Sequence, residues 1–326
     1  MIVVTGATGH VGNVLVRKLV ENEEEIRAFI LQSEDLKPIE GLDIEIVEGD
    51  VRDIDSLVNA FQGAEIVYHL AGIISIMPDK DGFLYQVNVE GTRNVVNACL
   101  KTGVKRLIYI SSVHALKEPP KGIIIDENCG FDPQYSRGGY DETKATASLE
   151  VLKGIDRGLE AVIICPSGII GPYDYNISQM GTLFINYING DIKAYLDGAY
   201  DFVDVRDVAE GIILASKHGK SGETYILSGE KIEVPELMNY LEKITGVKAP
   251  SFKAPLWLLK IFSKFTPIYY KFIKDKPLFT GYSIEVLNSN CDISSKKAQN
   301  ELGFSSRPIT ESIKDSIEWF KENKYV

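Results

Sequence analysis

The stretch TGATGHVG, residues 5–12, constrains this chain more than any other. It follows directly on the short apolar run at 2–4 and opens a segment, 11–20, whose apolar residues recur near every third or fourth position. Glycines at 6, 9 and 12 permit a tight turn, let the backbone approach a pyrophosphate closely and let the helix settle on a sheet, while the helix amino end adds N–H donors and a favourable dipole. A glycine triplet alone is weak evidence, because structural turns use glycine too. Placed between a strand and a helix, it predicts a dinucleotide-binding loop of Gly6, Thr8, Gly9, His10, Val11 and Gly12.

Short β-branched or apolar runs at 2–4, 26–31, 44–47, 66–70 and 106–110 alternate with helical patterns through the first third of the chain. Strands separated in this way imply parallel pairing with crossovers, hence a doubly wound α/β fold. Runs at 161–165 and 224–227 supply two more strands. After about residue 172 the rhythm breaks, and proline, tyrosine and lysine become frequent. The 326 residues are roughly twice a domain of ~150, so two lobes are expected. These are a dinucleotide-binding body of 1–171 with 202–229, and a smaller mixed carboxyl-terminal substrate lobe of 172–201 with 230–326.

Lysine and arginine number 35 against 46 acids, and 35 − 46 = −11 is a charge that repels a phosphate backbone, so no nucleic-acid partner is expected. Cys99, Cys129, Cys165 and Cys291 stand 30, 36 and 126 residues apart, with no CxxC and no histidine at zinc-finger spacing. That pattern predicts free thiols in a reducing compartment and no metal site. No apolar run approaches the ~18 residues of a membrane span, and the first residues lack a signal-peptide pattern. The expected location is cytoplasmic.

The second chemical signal is Tyr140 and Lys144 within YDETK. Four residues apart on a helix they share one face, where an ammonium would lower the phenol's pKa and make a general acid or base. Such a pair taken alone more often marks a solvated helix surface. It gains meaning beside Ser111 and Ser112, which follow the strand at 106–110 at the carboxyl edge of the sheet, where doubly wound folds bind ligands.

Together with GDVRD at 49–53, HLAG at 69–72, NVEGT at 88–92, YISS at 109–112, PSGIIGP at 166–172 and FVDVRDVA at 202–209, these motifs resemble the extended short-chain dehydrogenase/reductase superfamily. This is the NAD-dependent epimerase/dehydratase type, and the pattern is similar to its dihydroflavonol reductase and 3β-hydroxysteroid dehydrogenase members. The resemblance implies a Rossmann-type body in which Tyr140 is the catalytic acid/base, Ser112 hydrogen-bonds the substrate oxygen, and Lys144 holds the nicotinamide ribose. It implies Asp50 and Val51 against adenine, Leu70, Ala71 and Gly72 along the cofactor, and Pro166, Ser167 and Ile169 beside the nicotinamide. Asn88 either completes a proton relay through water or makes a helix-stabilising polar contact. A homodimer paired through helices flanking the sheet is implied by the resemblance alone.

Histidines need separate treatment. His69 lies in an apolar strand and reads as a satisfied core residue. His114, two residues after Ser112, either faces the substrate or packs in its loop. The end of the second strand chooses between NAD and NADP. There Leu31 stands about where NADP-binding members tend to carry arginine, Gln32 is an expected cofactor contact, and Glu34 and Asp35 would oppose a 2′-phosphate despite Ser33 and Lys37 nearby. NAD is preferred over NADP.

The leading function is a reductase or dehydrogenase interconverting a ketone or aldehyde and an alcohol, because Cys165 occupies the position where the sugar epimerases usually carry arginine. A nucleotide-sugar epimerase or dehydratase is the alternative, and a non-catalytic dinucleotide sensor is disfavoured by intact Ser112, Tyr140 and Lys144. Residues 253–276 carry six lysines and one aspartate among apolar and aromatic residues at helical spacing. They read as a helix covering the substrate lobe, or as an amphipathic segment making peripheral membrane contact. Trp257 and the aromatic residues after it would line the pocket for a hydrophobic small-molecule substrate.

Overall fold

The computed structural model describes residues 1–75, 81–255 and 281–326. Its main sheet contains β1 (Ile2–Thr5), β2 (Ile26–Ile30), β3 (Glu45–Glu48), β4 (Ile66–His69), β5 (Arg106–Ile110), β6 (Ala161–Pro166) and β10 (Thr224–Leu227). All neighbours pair in parallel, in the order β10-β6-β5-β4-β1-β2-β3. The chain leaves β1 for β2 on one side and later returns to β4 on the other, so the strand order reverses at β1. The crevice beyond the carboxyl ends of β1 and β4 is therefore where such a sheet takes a ligand.

Sequence explains why the strands sit as they do. The run AVIICP of β6 is buried throughout, as a central parallel strand covered on both faces must be. Edge strand β3, EIVE, is mostly exposed and carries a glutamate at each end, which discourages further pairing. Alternate residues of β1 feed two different cores. Ile2 and Val4 pack with Leu15 of helix α1 (His10–Glu21) and Ile212 of helix α7 (Val205–His218). Val3 packs on the opposite face with Val95 of helix α4 (Gly91–Thr102) and Val151 of helix α5 (Gly139–Asp156).

A third core, including Ile170, Phe184, Leu237, Ile313 and Phe320, belongs to the carboxyl-terminal half. It underlies a three-stranded mixed sheet of β7 (Gly168–Ile170), β9 (Ala199–Asp204) and β11 (Glu230–Glu233), in which β9 is central. The sequence reading assigns 202–229 to the large sheet. Only β10 joins it, because β9 pairs with β7 and β11 before α7 crosses back to pack on α1. Of the segment 253–276, only 253–255 falls within the described residues, and its Lys253 forms an exposed two-residue strand with the preceding Phe252. Trp257 lies outside them. No helix among the described residues is long and apolar enough to cross a membrane.

Candidate active site

A groove of about 300 Å³ runs over the carboxyl ends of β1, β2 and β4. Gly6, Thr8 and Gly9 form one wall, Asp50 and Val51 another, and Leu70, Ala71 and Gly72 a third. The glycines divide the labour. Gly6 turns in the left-handed region, φ +71°, where a Cβ would lie 2.7 Å from the Ala71 nitrogen. At Gly12 a Cβ would fall 2.0 Å from the Gly6 carbonyl oxygen, so its absence lets α1 start directly against the loop. A Cβ on Gly9 would meet only the Gly6 oxygen, at 3.3 Å. Gly9 therefore borders the groove, at an α1 amino end with no acid in its first turn. Such an end leaves N–H groups and a favourable dipole that an anion could use.

Three residues predicted for this loop, and Gln32 predicted beyond the second strand, do not line the groove. His10 turns away, its Nε2 sharing a hydrogen bond with the Pro172 carbonyl at 2.9 Å. Val11 packs on the core and Gly12 serves helix packing. Gln32 is exposed beyond the end of β2. Glu34 enters the groove in its place, accepting a hydrogen bond from Thr8 Oγ1 at 2.7 Å, with Asp35 beside it. At the far rim Arg52 chelates Asp50, its hydrogen bonds holding that carboxyl below the usual range, and lies over the Phe83 ring at 5.2 Å. Arg52, Phe83 and Asn176 escaped the sequence reading, because side chains from three separated segments converge only in the fold.

The serine–tyrosine–lysine set gathers beyond β5. Ser112 caps the short 3-10 turn that follows the strand and is buried, with its Oγ accepting the His114 N–H at 3.2 Å. Its neighbour Ser111 faces inward and shares a hydrogen bond with Ser148 at 2.8 Å, so only Ser112 is available to a ligand. Tyr140 stands on the first turn of α5. Burial raises its pKa above the ordinary phenol value, and the hydrogen bond it shares with Ser112 only partly opposes this. Lys144 is buried, donates to the Ile110 carbonyl at 2.6 Å and lies over the Tyr109 ring at 4.7 Å. Desolvation pushes its pKa down to about 8. The lowered phenol pKa expected from Lys144 is thus not found, because desolvation of each group dominates.

Asn88 sits in a π-helical turn, Gln86–Glu90. Its Oδ1 accepts the Ile73 N–H at 2.8 Å, and its Nδ2 donates to the Ile73 carbonyl and to Thr143 Oγ1. His69 is fully buried between Thr5 and Thr92, with hydrogen bonds at 2.8 and 3.0 Å, and burial drives its pKa down to about 3. Pro166 and Ser167 are buried at the end of β6, and Ile169 packs on the core from β7.

His114 lines a separate cavity of about 60 Å³ together with Arg137, Tyr200, Asp201 and Cys291. Burial lowers its pKa, Asp141 opposes that shift, and Arg137 adds to it. Asp201 is buried, accepts the Gly229 N–H at 3.2 Å, and is raised from 3.8 to about 6, chiefly by desolvation. A carboxyl whose folded pKa is raised weakens the fold as pH climbs from about 4 through 6, since the folded state then holds a proton the unfolded chain has lost. Asp201→Asn should therefore raise stability at pH 7 by up to about 3 kcal/mol, two pKa units at ~1.4 kcal/mol each, and by less than about 1 kcal/mol at pH 4. Paired denaturant titrations at the two pH values measure this.

The two arginines after residue 172 are both committed. Arg206 pairs with Asp204 and Asp315, at 2.8 and 2.7 Å. Arg307 grips Asp207 at 2.7 Å and reaches Glu311. Arg137, beside the cavity, is paired with Glu118. Among the described residues no cluster of His, Cys, Asp and Glu could hold a metal ion.

Comparison with known proteins agrees with this geometry. Residues 2–228 match the NAD dependent epimerase/dehydratase family. Over 321 residues the chain is 34% identical to sterol demethylase protein B of Methylococcus capsulatus, covering 98% of each chain. It is 33% identical to a putative dihydroflavonol 4-reductase of Synechocystis, covering 99% of this chain and 95% of that one. The crystal structure of gox2253 superposes with a TM-score of 0.87 at 34% identity, covering 99% of this chain and 98% of the other. A glycine loop open to a groove, a serine–tyrosine–lysine set beside it and these full-length similarities place the chain in one enzyme family: it is a member of the NAD dependent epimerase/dehydratase family.

Proposed function

We propose that the protein is a nicotinamide-dependent reductase or dehydrogenase acting on a secondary alcohol/ketone pair, or an aldehyde, of a fairly hydrophobic small molecule. The observation that carries this is Ser112, Tyr140 and Lys144 meeting at the carboxyl edge of β5, with the glycine-loop groove alongside. A bound nicotinamide would supply or accept the hydride. The chain's own residues handle the oxygen: Ser112 Oγ orients it, and the Tyr140 hydroxyl gives it a proton. Burial keeps that phenol protonated near neutral pH, as a donor needs. Lys144, drawn from the Ile110 carbonyl, would hold the ribose. Asn88, with both amide hydrogens engaged, serves as an anchor. The body of 1–171 with 202–229 would hold the cofactor, and the remaining lobe the substrate.

NAD is the favoured cofactor. Glu34, steadied by Thr8, points its carboxylate into the groove, where it would accept a ribose hydroxyl and repel a 2′-phosphate. Glu34→Gln should lower the NADH-over-NADPH preference by about tenfold, ~1.4 kcal/mol, in calorimetric titrations of both cofactors.

A nucleotide-sugar epimerase or dehydratase reading requires cations for a diphosphate. Arg206 and Arg307 are held in ion pairs instead, and the names of two relatives, a sterol demethylase protein and a dihydroflavonol reductase, point to hydrophobic substrates. Incubation with NADH and panels of steroids, aromatic ketones and UDP-sugars tests the choice. Ketone-dependent NADH consumption is expected. Thermal protection by micromolar UDP-sugar, with none by ketones, would transfer the assignment to the epimerase reading. Free thiols at all four cysteines support a reducing, cytoplasmic setting. A homodimer paired through the flanking helices completes the reading, which includes no nucleic-acid partner.

A further inference from the structure

A buried run of side chains links the floor of the groove to the catalytic helix, and its hydrogen atoms can be placed without ambiguity. Thr92 Oγ1 lies 2.6 Å from the Asn88 carbonyl, which can only accept, so the single Thr92 hydroxyl hydrogen is spent there. Thr92 must then accept from His69 Nε2 at 3.0 Å. Burial keeps His69 neutral, which leaves its Nδ1 bare to accept from Thr5 Oγ1 at 2.8 Å. Thr5 Oγ1 in turn accepts the Ala71 N–H at 3.2 Å. On the other side Asn88 Nδ2 donates to Thr143 Oγ1 at 3.1 Å, and Thr143 donates to the carbonyl of Tyr140 itself at 2.9 Å. Every donor points the same way, from Ala71 in the groove to the backbone of Tyr140.

This run begins at a peptide N–H and ends at a peptide carbonyl, so it has no mobile proton to deliver and is not a relay. Thr5, His69, Asn88, Thr92 and Thr143 are all at most 5% exposed. The π-helical turn at Gln86–Glu90 falls where Asn88 reaches both Ile73 and Thr143, and local π geometry is common at functional positions. We infer that His69, Thr92 and Thr143 are positioning residues: through Thr5 and Asn88 they fix the groove floor at Ala71–Ile73 against the first turn of α5, so that cofactor and Tyr140 are held in one register. The inference deepens, and rests on, the reading of the groove as a dinucleotide site.

Thr92→Val keeps the side chain's shape and cuts the run at its centre, while Thr92→Ser keeps the hydroxyl. Hydrogen exchange read by mass spectrometry on the ligand-free protein should show residues 70–73 and 139–144 losing protection together in Thr92→Val, and near wild-type protection in Thr92→Ser. NADH affinity should fall about tenfold in the valine variant and recover in the serine variant. Thr143→Val cuts the run outside the sheet and should release the same two segments, which covers the case of a Thr92→Val chain that does not fold. Loss of protection confined to residues 86–92, or a lower melting temperature with both segments and NADH affinity unchanged, overturns the inference. A wild-type protein that binds neither NADH nor NADPH overturns the dinucleotide reading instead, and the exchange experiment, which needs no cofactor, still decides whether the run couples the two segments.

Discussion

Tyr140→Phe should lose turnover by about 10²–10⁴-fold, the usual contribution of a positioned proton donor, while NADH binding and thermal stability stay near wild type. Under the proposed mechanism the phenol is the group that gives a proton to the developing alkoxide. Ser112 has a far less acidic hydroxyl, and Lys144 donates a hydrogen bond to the Ile110 carbonyl. Replacement by phenylalanine keeps the ring's packing on α5 and removes only the hydroxyl and its hydrogen bond with Ser112. The loss should appear in kcat and in kcat/KM alike, because the interaction strengthens only as charge builds on the substrate oxygen. Calorimetry with NADH separates chemistry from binding. Full activity in the variant would remove Tyr140 from the acid's role.

The parts of this molecule legible in its sequence are those governed by local rules. The alternating apolar runs set the parallel sheet, and the predicted strands at 26–31, 106–110 and 161–165 lie within a residue of β2, β5 and β6. Reading His69 as a core residue needed only its apolar neighbours. Positions that depend on distant partners resisted the same treatment. His10 sits inside the glycine motif, yet its ring is drawn to Pro172, 162 residues away. Glu34 was legible as a charge opposing phosphate, while its hydrogen bond to Thr8 and its entry into the groove required the loop after β2 to fold back. Lys144 lies on the same helix as Tyr140, as the spacing required, but the Ile110 carbonyl captures its ammonium. Helical periodicity fixes a face and cannot foresee which acceptor waits there.

Gly9→Val should bind NADH at least about 100-fold more weakly than wild type while remaining folded. The three glycines of the loop do not share this expectation. Substitution at Gly6 or Gly12 drives a Cβ into backbone atoms at 2.7 or 2.0 Å and should damage the fold itself. Gly9 has extended backbone, φ −68° and ψ 168°, which any residue adopts, and its Cβ would touch only one oxygen at 3.3 Å. The added methyl groups would instead stand at the α1 amino end, between the helix N–H groups and any pyrophosphate. Hydrogen bonds to a charged group contribute about 1.5–3 kcal/mol each, so displacing the ligand from two of them costs about 3–6 kcal/mol, or roughly 10²–10⁴-fold in affinity. Gly9→Ala, with fewer atoms in the same place, should give a smaller loss in the same direction. Circular dichroism establishes that each variant is folded before the titration is read. A folded Gly9→Val protein with wild-type NADH affinity would place the dinucleotide elsewhere, and the groove over β1 and β4 would lose its assignment.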